Sequence, residues 1–167
     1  ALTNVGDKVL TLTPVYNCFF SSIRNNGCEL DSCALRYEDN TFSIDYEDLE
    51  RRAADPKTTL MLLCNPHNPS GRVWTREELR RIGDICIKNN VVVVADEIHC
   101  ELVHPGFTYT PFASVSEEFQ KHSVTCVAPS KAFNIAGLQI ANIIVENDKG
   151  RQRIDKAINI NEVCDVN

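Results

Sequence analysis

The sequence has no block of basic residues. Its densest cationic spots are the pairs Arg51–Arg52 and Arg80–Arg81, both inside helical patterns, and 17 Lys and Arg stand against 23 Asp and Glu for a formal net charge of −6. Nucleic-acid binding by phosphate neutralisation needs a cationic stripe, so a nucleic-acid partner is not expected. Long apolar runs are also missing. LMLLC and VVVVA are far shorter than the ~20 residues of a membrane-spanning helix, so no membrane partner is expected either. The opening ALTNVGDKVL does not read as a signal peptide, which makes a cytoplasmic location the expectation. No two of the eight cysteines form a C-x-x-C pair, and several sit in apolar patterns (LMLLC, DICI, VTCV). Free buried thiols in a reducing compartment fit this better than disulfides. His99 and His104 invite a metal reading. Their spacing does not put both on one helix face, and no second cluster supplies further ligands, so no metal is expected.

What is present is ordinary globular composition, 43% hydrophobic and 24% charged over 167 residues. Short apolar runs alternate with amphipathic ones. KVLTLT (8–13), GCELDSCAL, TTLMLLC (58–64), VVVVA (91–95), SVTCV (123–127) and QIANIIVE (139–146) read as strands. VVVVA, apolar throughout, is expected to be covered on both faces. YNCFFSSIRNN (16–26) reads as a helix stopped by Gly27, and SIDYEDLERRAA as a helix started by Ser43 or Asp45. Thr75 opens the clearest helix. T-R-E-E is a capping box, and Leu79, Ile82, Ile85 and Cys86 form the buried stripe behind it. A last helical pattern runs from about Asp148 to Ile160. The run N-P-H-N-P-S-G after TTLMLLC can be neither helix nor central strand. Strands separated by helices predict a three-layer, doubly wound α/β fold with a mostly parallel sheet. No repeat or linker divides residues 1–167, and both ends look cut. The closing NEVCDVN offers no packed final element.

In such sheets, ligands bind beyond the carboxyl ends of the strands. The segments there are T-P-V-Y, N-P-H-N-P-S-G, D-E-I-H and A-P-S-K. Their polar groups are expected on one rim: Tyr16, Asn65, His67, Asn68, Asp96, Glu97, His99, Ser130 and Lys131. Five of them have a plainer alternative. Lys131 can be a snorkelling surface lysine and Asp96 a helix N-cap. Asn68 and Ser130 can be turn residues, and Tyr16 a core tyrosine.

H-N-P-S-G, then an apolar strand ending in Asp, then S-K followed by G-L, resembles the fold-type-I enzymes of the aminotransferase class I/II superfamily. These depend on pyridoxal 5'-phosphate (PLP). CNPHNPSGRVWTREEL, ADEIH, PFASVSEEF and APSKAFNIAGLQ are similar to the cystathionine β-lyase, or C–S lyase, branch. The resemblance covers essentially the whole chain. It implies that residues 1–167 are one PLP-binding large domain, without the N-terminal segment and the C-terminal small domain. It also implies a small amino-acid substrate and a homodimer at full length.

The implied roles follow the residues. Lys131 bonds to the cofactor aldehyde and later removes the substrate Cα proton, which needs an amine partly neutral near pH 7. Asp96 pairs with the pyridine nitrogen, Asn68 bonds the phenolic oxygen, Tyr16 stacks on the ring, and Ser130 reaches the phosphate. His99 stands where typical aminotransferases carry tyrosine. Gln139 replaces their phosphate-binding arginine, and Ala128 lacks a hydroxyl often found there. Phosphate anchoring is then expected from a helix N-terminus and from residues outside the chain. These departures are usual in the C–S lyase branch. The implied activity is cleavage of the Cβ–S bond of cystathionine-like substrates to thiol, pyruvate and ammonia. The alternatives are an aminotransferase, or a non-catalytic regulator on the same fold. No substrate-carboxylate arginine is found in the chain, so weak PLP binding and poor turnover are expected of it alone.

Overall fold

The computed structural model describes residues 1–160, the last of them without its side chain. The closing NEVCDVN and Cys164 lie outside the described residues. The order of elements is β1 (Lys8–Thr13), α1 (Asn17–Asn25), β2 (Glu29–Ala34), β3 (Arg36–Glu38), β4 (Thr41–Ser43), α2 (Tyr46–Ala53), β5 (Thr58–Cys64), α3 (Arg76–Lys88), β6 (Val92–Asp96), α4 (Glu117–Lys121), β7 (Ser123–Val127), β8 (Asn142–Ile144) and α5 (Asp148–Ile160). The central sheet runs β2-β1-β5-β6-β7-β8. Its first four pairings are parallel and β7–β8 is antiparallel. The mostly parallel, doubly wound α/β sheet is therefore present. From β1 the chain moves outward to β2, then returns to the other side of β1 at β5. Connections diverge at that point, which opens a crevice beyond the strand ends.

Side-chain alternation along the strands divides the core between two faces. Leu10, Leu12, Met61, Leu63, Val93 and Ala95 point to one face. There they meet Leu49 and Ala53 of α2, Leu79, Ile82 and Cys86 of α3, and Phe119 of α4. Burying each such large side chain contributes about 1.5–3 kcal/mol. On the other face, Val9 and Leu60 pack against Ile23 of α1. That face also holds a cleft of about 390 Å³ lined by Leu62, Val94, Val124, Ile154 and Ile158. The expectation that VVVVA is covered on both faces therefore holds on one side only. Val93 and Ala95 are buried, whereas Val92 and Val94 are half-buried.

The capping box forms as read. Thr75 Oγ1 accepts from Glu78 N–H at 3.2 Å, and Glu78 Oε2 accepts from Thr75 N–H at 2.8 Å. Asp45, not Ser43, caps α2, accepting from Asp48 N–H. Ile85 is only half-buried, and Gly83 joins the buried stripe instead. The predicted strand 139–146 shrinks to three residues. β8 is the sheet edge, all three residues are exposed, and so little burial supports a longer pairing. The β3–β4 hairpin, expected as neither strand, turns at Asp39 and Asn40 with φ of 50° and 59°. Among the described residues no helix is long and apolar enough to cross a membrane, and the seven described cysteines are free.

Candidate active site

Four neighbouring strands, β1, β5, β6 and β7, point their carboxyl ends the same way. The segments that leave them enclose a cavity of about 200 Å³. Its walls are Tyr16, Cys64, Asn68, Asp96, Ile98, His99, Ser130 and Lys131. Six of the nine predicted rim residues thus meet in one place: Tyr16, Asn68, Asp96, His99, Ser130 and Lys131.

Asp96 ends β6 between Cys64 and Cys126 of the adjoining strands. Its Oδ1 accepts from Ile98 N–H at 3.3 Å, and it makes no ion pair among the described residues. Burial raises its carboxyl above the usual range, against the lowering effects of the Ile98 bond and of His99. Burial likewise lowers His99, with Lys131 acting in the same direction and Asp96 opposing. Asn68 is held by its backbone. Its N–H donates to Cys64 Sγ at 3.3 Å, while its side-chain amide makes no hydrogen bond among the described residues. Tyr16 stands at the mouth, 45% exposed, edge-on to Phe19 at 6.4 Å. The Lys131 side chain is exposed and has no hydrogen bond or ion pair among the described residues. The burial expected around it is not supplied by this chain, because the segment consists of open turns. His99 supplies the neighbouring imidazole.

The other three rim residues face away. Glu97 is fully buried. It accepts from Asn65 Nδ2 at 3.0 Å, from Phe112 N–H at 2.8 Å and from the Tyr109 hydroxyl. Asn65 also donates to Thr110 O at 2.9 Å. This clamp pins the 109–112 segment beneath the site. His67 is 2% exposed, with Nδ1 2.8 Å from Ser70 Oγ and Nε2 3.3 Å from Leu12 O. It props the turn that presents Asn68. Alternation at the end of β6 turns Glu97 inward where Asp96 reaches the cavity, whereas His67 and Asn68 part at the start of the turn over residues 68–71.

Two lining residues were not anticipated. Cys64 reads as a buried thiol in LMLLC, but its place as the last residue of β5 was the available signal. Ile98 sits between two anticipated residues. One helix N-terminus meets this rim, that of α1, whose N-cap Tyr16 lines the cavity; the segment after β7 supplies none. After Val127 the chain forms turns and a 3-10 turn over Ala136–Leu138, and Gln139 is exposed. Among the described residues no cluster of three or more His, Cys, Asp or Glu is placed to hold a metal ion.

A doubly wound sheet whose diverging strand ends gather an amine, a carboxylate, an amide, an imidazole and an aromatic ring defines an α/β protein with an enzyme-type crevice. The chain belongs to the aminotransferase class I and II family, whose model matches residues 1–164. It is 45% identical over all 167 residues to cystathionine beta-lyase PatB of Bacillus subtilis, and covers 43% of that protein. It is 32% identical over 157 residues to a probable kynurenine–oxoglutarate transaminase of Saccharomyces cerevisiae, covering 34% of it. Among solved structures it is similar to cystalysin from Treponema denticola, which contains a pyridoxal 5'-phosphate cofactor. The TM-score is 0.91 at 41% identity, over 93% of this chain and 39% of that one. The chain therefore spans about two fifths of the length of these relatives.

Proposed function

We propose that the chain is the PLP-binding part of a carbon–sulfur β-lyase acting on cysteine S-conjugates of the cystathionine type. The observation that carries this reading is the convergence of Tyr16, Asn68, Asp96, His99, Ser130 and Lys131 on one cavity. The donor set fits the group. A half-buried carboxylate with no ion-pair partner, raised by burial, suits a protonated ring nitrogen. An amide without a side-chain partner and an imidazole suit a phenolate oxygen, and an unpaired amine suits an aldehyde.

When bound, the cofactor supplies an aldehyde for the substrate amine and a ring that delocalises the electron pair left at Cα. The chain's own residues do the rest. The Asp96 carboxylate would keep the proton on the ring nitrogen. Asn68 and His99 would orient the phenolic oxygen, the Tyr16 ring would cover one face, and the Ser130 hydroxyl would bond the phosphate. Lys131 would hold the aldehyde, and its amine, once freed by the substrate amine, would take the Cα proton, a positioned-base contribution of about 10²–10⁴ in rate. The sulfur would leave Cβ as a thiolate, the remaining fragment hydrolysing to pyruvate and ammonia.

Identity of 45% over the whole chain with a cystathionine β-lyase, against 32% with a transaminase, supports the lyase over the aminotransferase. A cytoplasmic homodimer, completed by segments outside these 167 residues, belongs to the same reading. The test is product analysis on the full-length protein with cystathionine as the sole substrate. Release of thiol with equimolar pyruvate is expected. Conversion that requires a keto acid and retains the amine would assign the aminotransferase instead.

A further inference from the structure

The loop that presents Asn68 is short of backbone donors, because Pro66 and Pro69 carry no N–H. Among the donors that remain, Asn65 N–H goes to Asp96 O at 2.9 Å, His67 N–H to Arg72 O at 2.8 Å and Gly71 N–H to His67 O at 2.8 Å. Asn68 N–H meets no carbonyl. Its partner among the described residues is the thiol of Cys64, whose Sγ lies 3.3 Å away. Backbone N–H groups away from water are rarely left without an acceptor, and here a side chain fills that place.

The same thiol also donates. Cys64 Sγ–H reaches Pro66 O at 3.2 Å. One side chain thus ties residues 66 and 68 to the end of β5. It can serve both because it is neutral. Burial raises the thiol to about 11, with the Asn68 N–H bond opposing and Asp96 adding to the rise. A neutral thiol is a donor and an acceptor at once.

The anchor is itself fixed. Cys64 is the last residue of β5, 2% exposed and packed against Val15 and Phe19. Its carbonyl accepts from Nε1 of the fully buried Trp74 at 3.0 Å. Asn68 is only half-buried, and its side-chain amide makes no hydrogen bond among the described residues. The place of that amide in the cavity is therefore set through the Asn68 backbone, and the Asn68 N–H is held by Cys64.

We propose that Cys64, given the role proposed above for the Asn68 amide, is a positioning residue for the cofactor: its thiol holds the turn so that the amide meets the phenolic oxygen. Cys64 acts through Asn68 and takes no part in the proton transfers.

The test is a double-mutant cycle on PLP affinity, read by absorbance titration of the full-length protein. Cys64→Ala is expected to weaken PLP binding by roughly three- to tenfold. Cys64→Val, which keeps the volume without either bond, should do the same. Cys64→Ser keeps a donor and an acceptor, and should stay within about twofold of wild type. Asn68→Ala should also weaken binding, and adding Cys64→Ala to it should cost no more than about a further twofold. A thiol that only packs the core would give effects that multiply, with serine no better than alanine. Either result overturns the positioning role, as does unchanged affinity in Cys64→Ala and Cys64→Val. Unchanged affinity in Asn68→Ala instead removes the contact between Asn68 and the cofactor, and the positioning role falls with it. A second measurement needs no cofactor. Exchange of the Asn68 N–H with deuterated solvent should quicken in Cys64→Ala and Cys64→Val, and rates equal to wild type would overturn the tie.

Discussion

His67 gives a quantitative handle on the turn that presents Asn68. Burial lowers its value from 6.5 to about 4, with Arg72 adding to the effect and the Leu12 carbonyl opposing it. The folded chain therefore keeps a neutral ring, with one nitrogen facing Ser70 Oγ and the other facing Leu12 O. The unfolded chain takes up a proton near pH 6.5. Stability from the neutral ring is therefore present above that value and is lost as pH falls toward 4. Worked through, the loss is about 2 kcal/mol between pH 7 and pH 5, and about 3 kcal/mol in full below pH 4. Asp96 and Glu97, both raised by burial, run the opposite way and gain on acidification. A difference measurement cancels them. Denaturant unfolding of wild type and His67→Gln at both pH values should show the gap between them shrinking by about 2 kcal/mol. A gap that stays constant within about 0.5 kcal/mol would refute the neutral buried imidazole.

Three stability predictions follow from the packing. A methyl at Gly83 would overlap the Phe119 ring, which is 2% exposed and cannot retreat. Gly83→Ala should therefore destabilise by about 1–3 kcal/mol, opposite in sign to the ~1 kcal/mol gain from helix propensity alone. Thr75→Ala removes half of the capping box and should lose about 1 kcal/mol on denaturation. Glu97→Ala strands donors from Asn65, Tyr109 and Phe112 in the interior. It should lose about 3 kcal/mol or more, and a loss under about 1 kcal/mol would remove the clamp from the account.

The sheet was legible because its strands are short apolar runs flanked by turn residues. β1, β5 and β7 begin and end as KVLTLT, TTLMLLC and SVTCV do. The β3–β4 hairpin was not, because Arg36, Tyr37 and Glu38 are all exposed and bury no apolar face to set a period. Its remaining signal was Asp39-Asn40, two residues that tolerate positive φ. At the site, the strand-end rule located the four segments but could not say which of two adjacent polar residues faces the cavity. Asp96 and Asn68 do, whereas Glu97 and His67 serve the fold beneath. The open setting of Lys131 was illegible for another reason. Its surroundings in A-P-S-K-A-F-N are turns, and small apolar residues read as burial when they are only compact. Phe133, two positions on, is 70% exposed.

Lys131 is the residue proposed above to bond PLP. The direct measurement is borohydride reduction of the chain in excess PLP, with peptide mass spectrometry to locate the label. The same is done on Lys131→Ala, with visible absorbance recorded before reduction. Label concentrated on Lys131 over the other lysines is expected, with an absorbance band that is lost in the variant. Label spread evenly over surface lysines, with a band unchanged by Lys131→Ala, would contradict it.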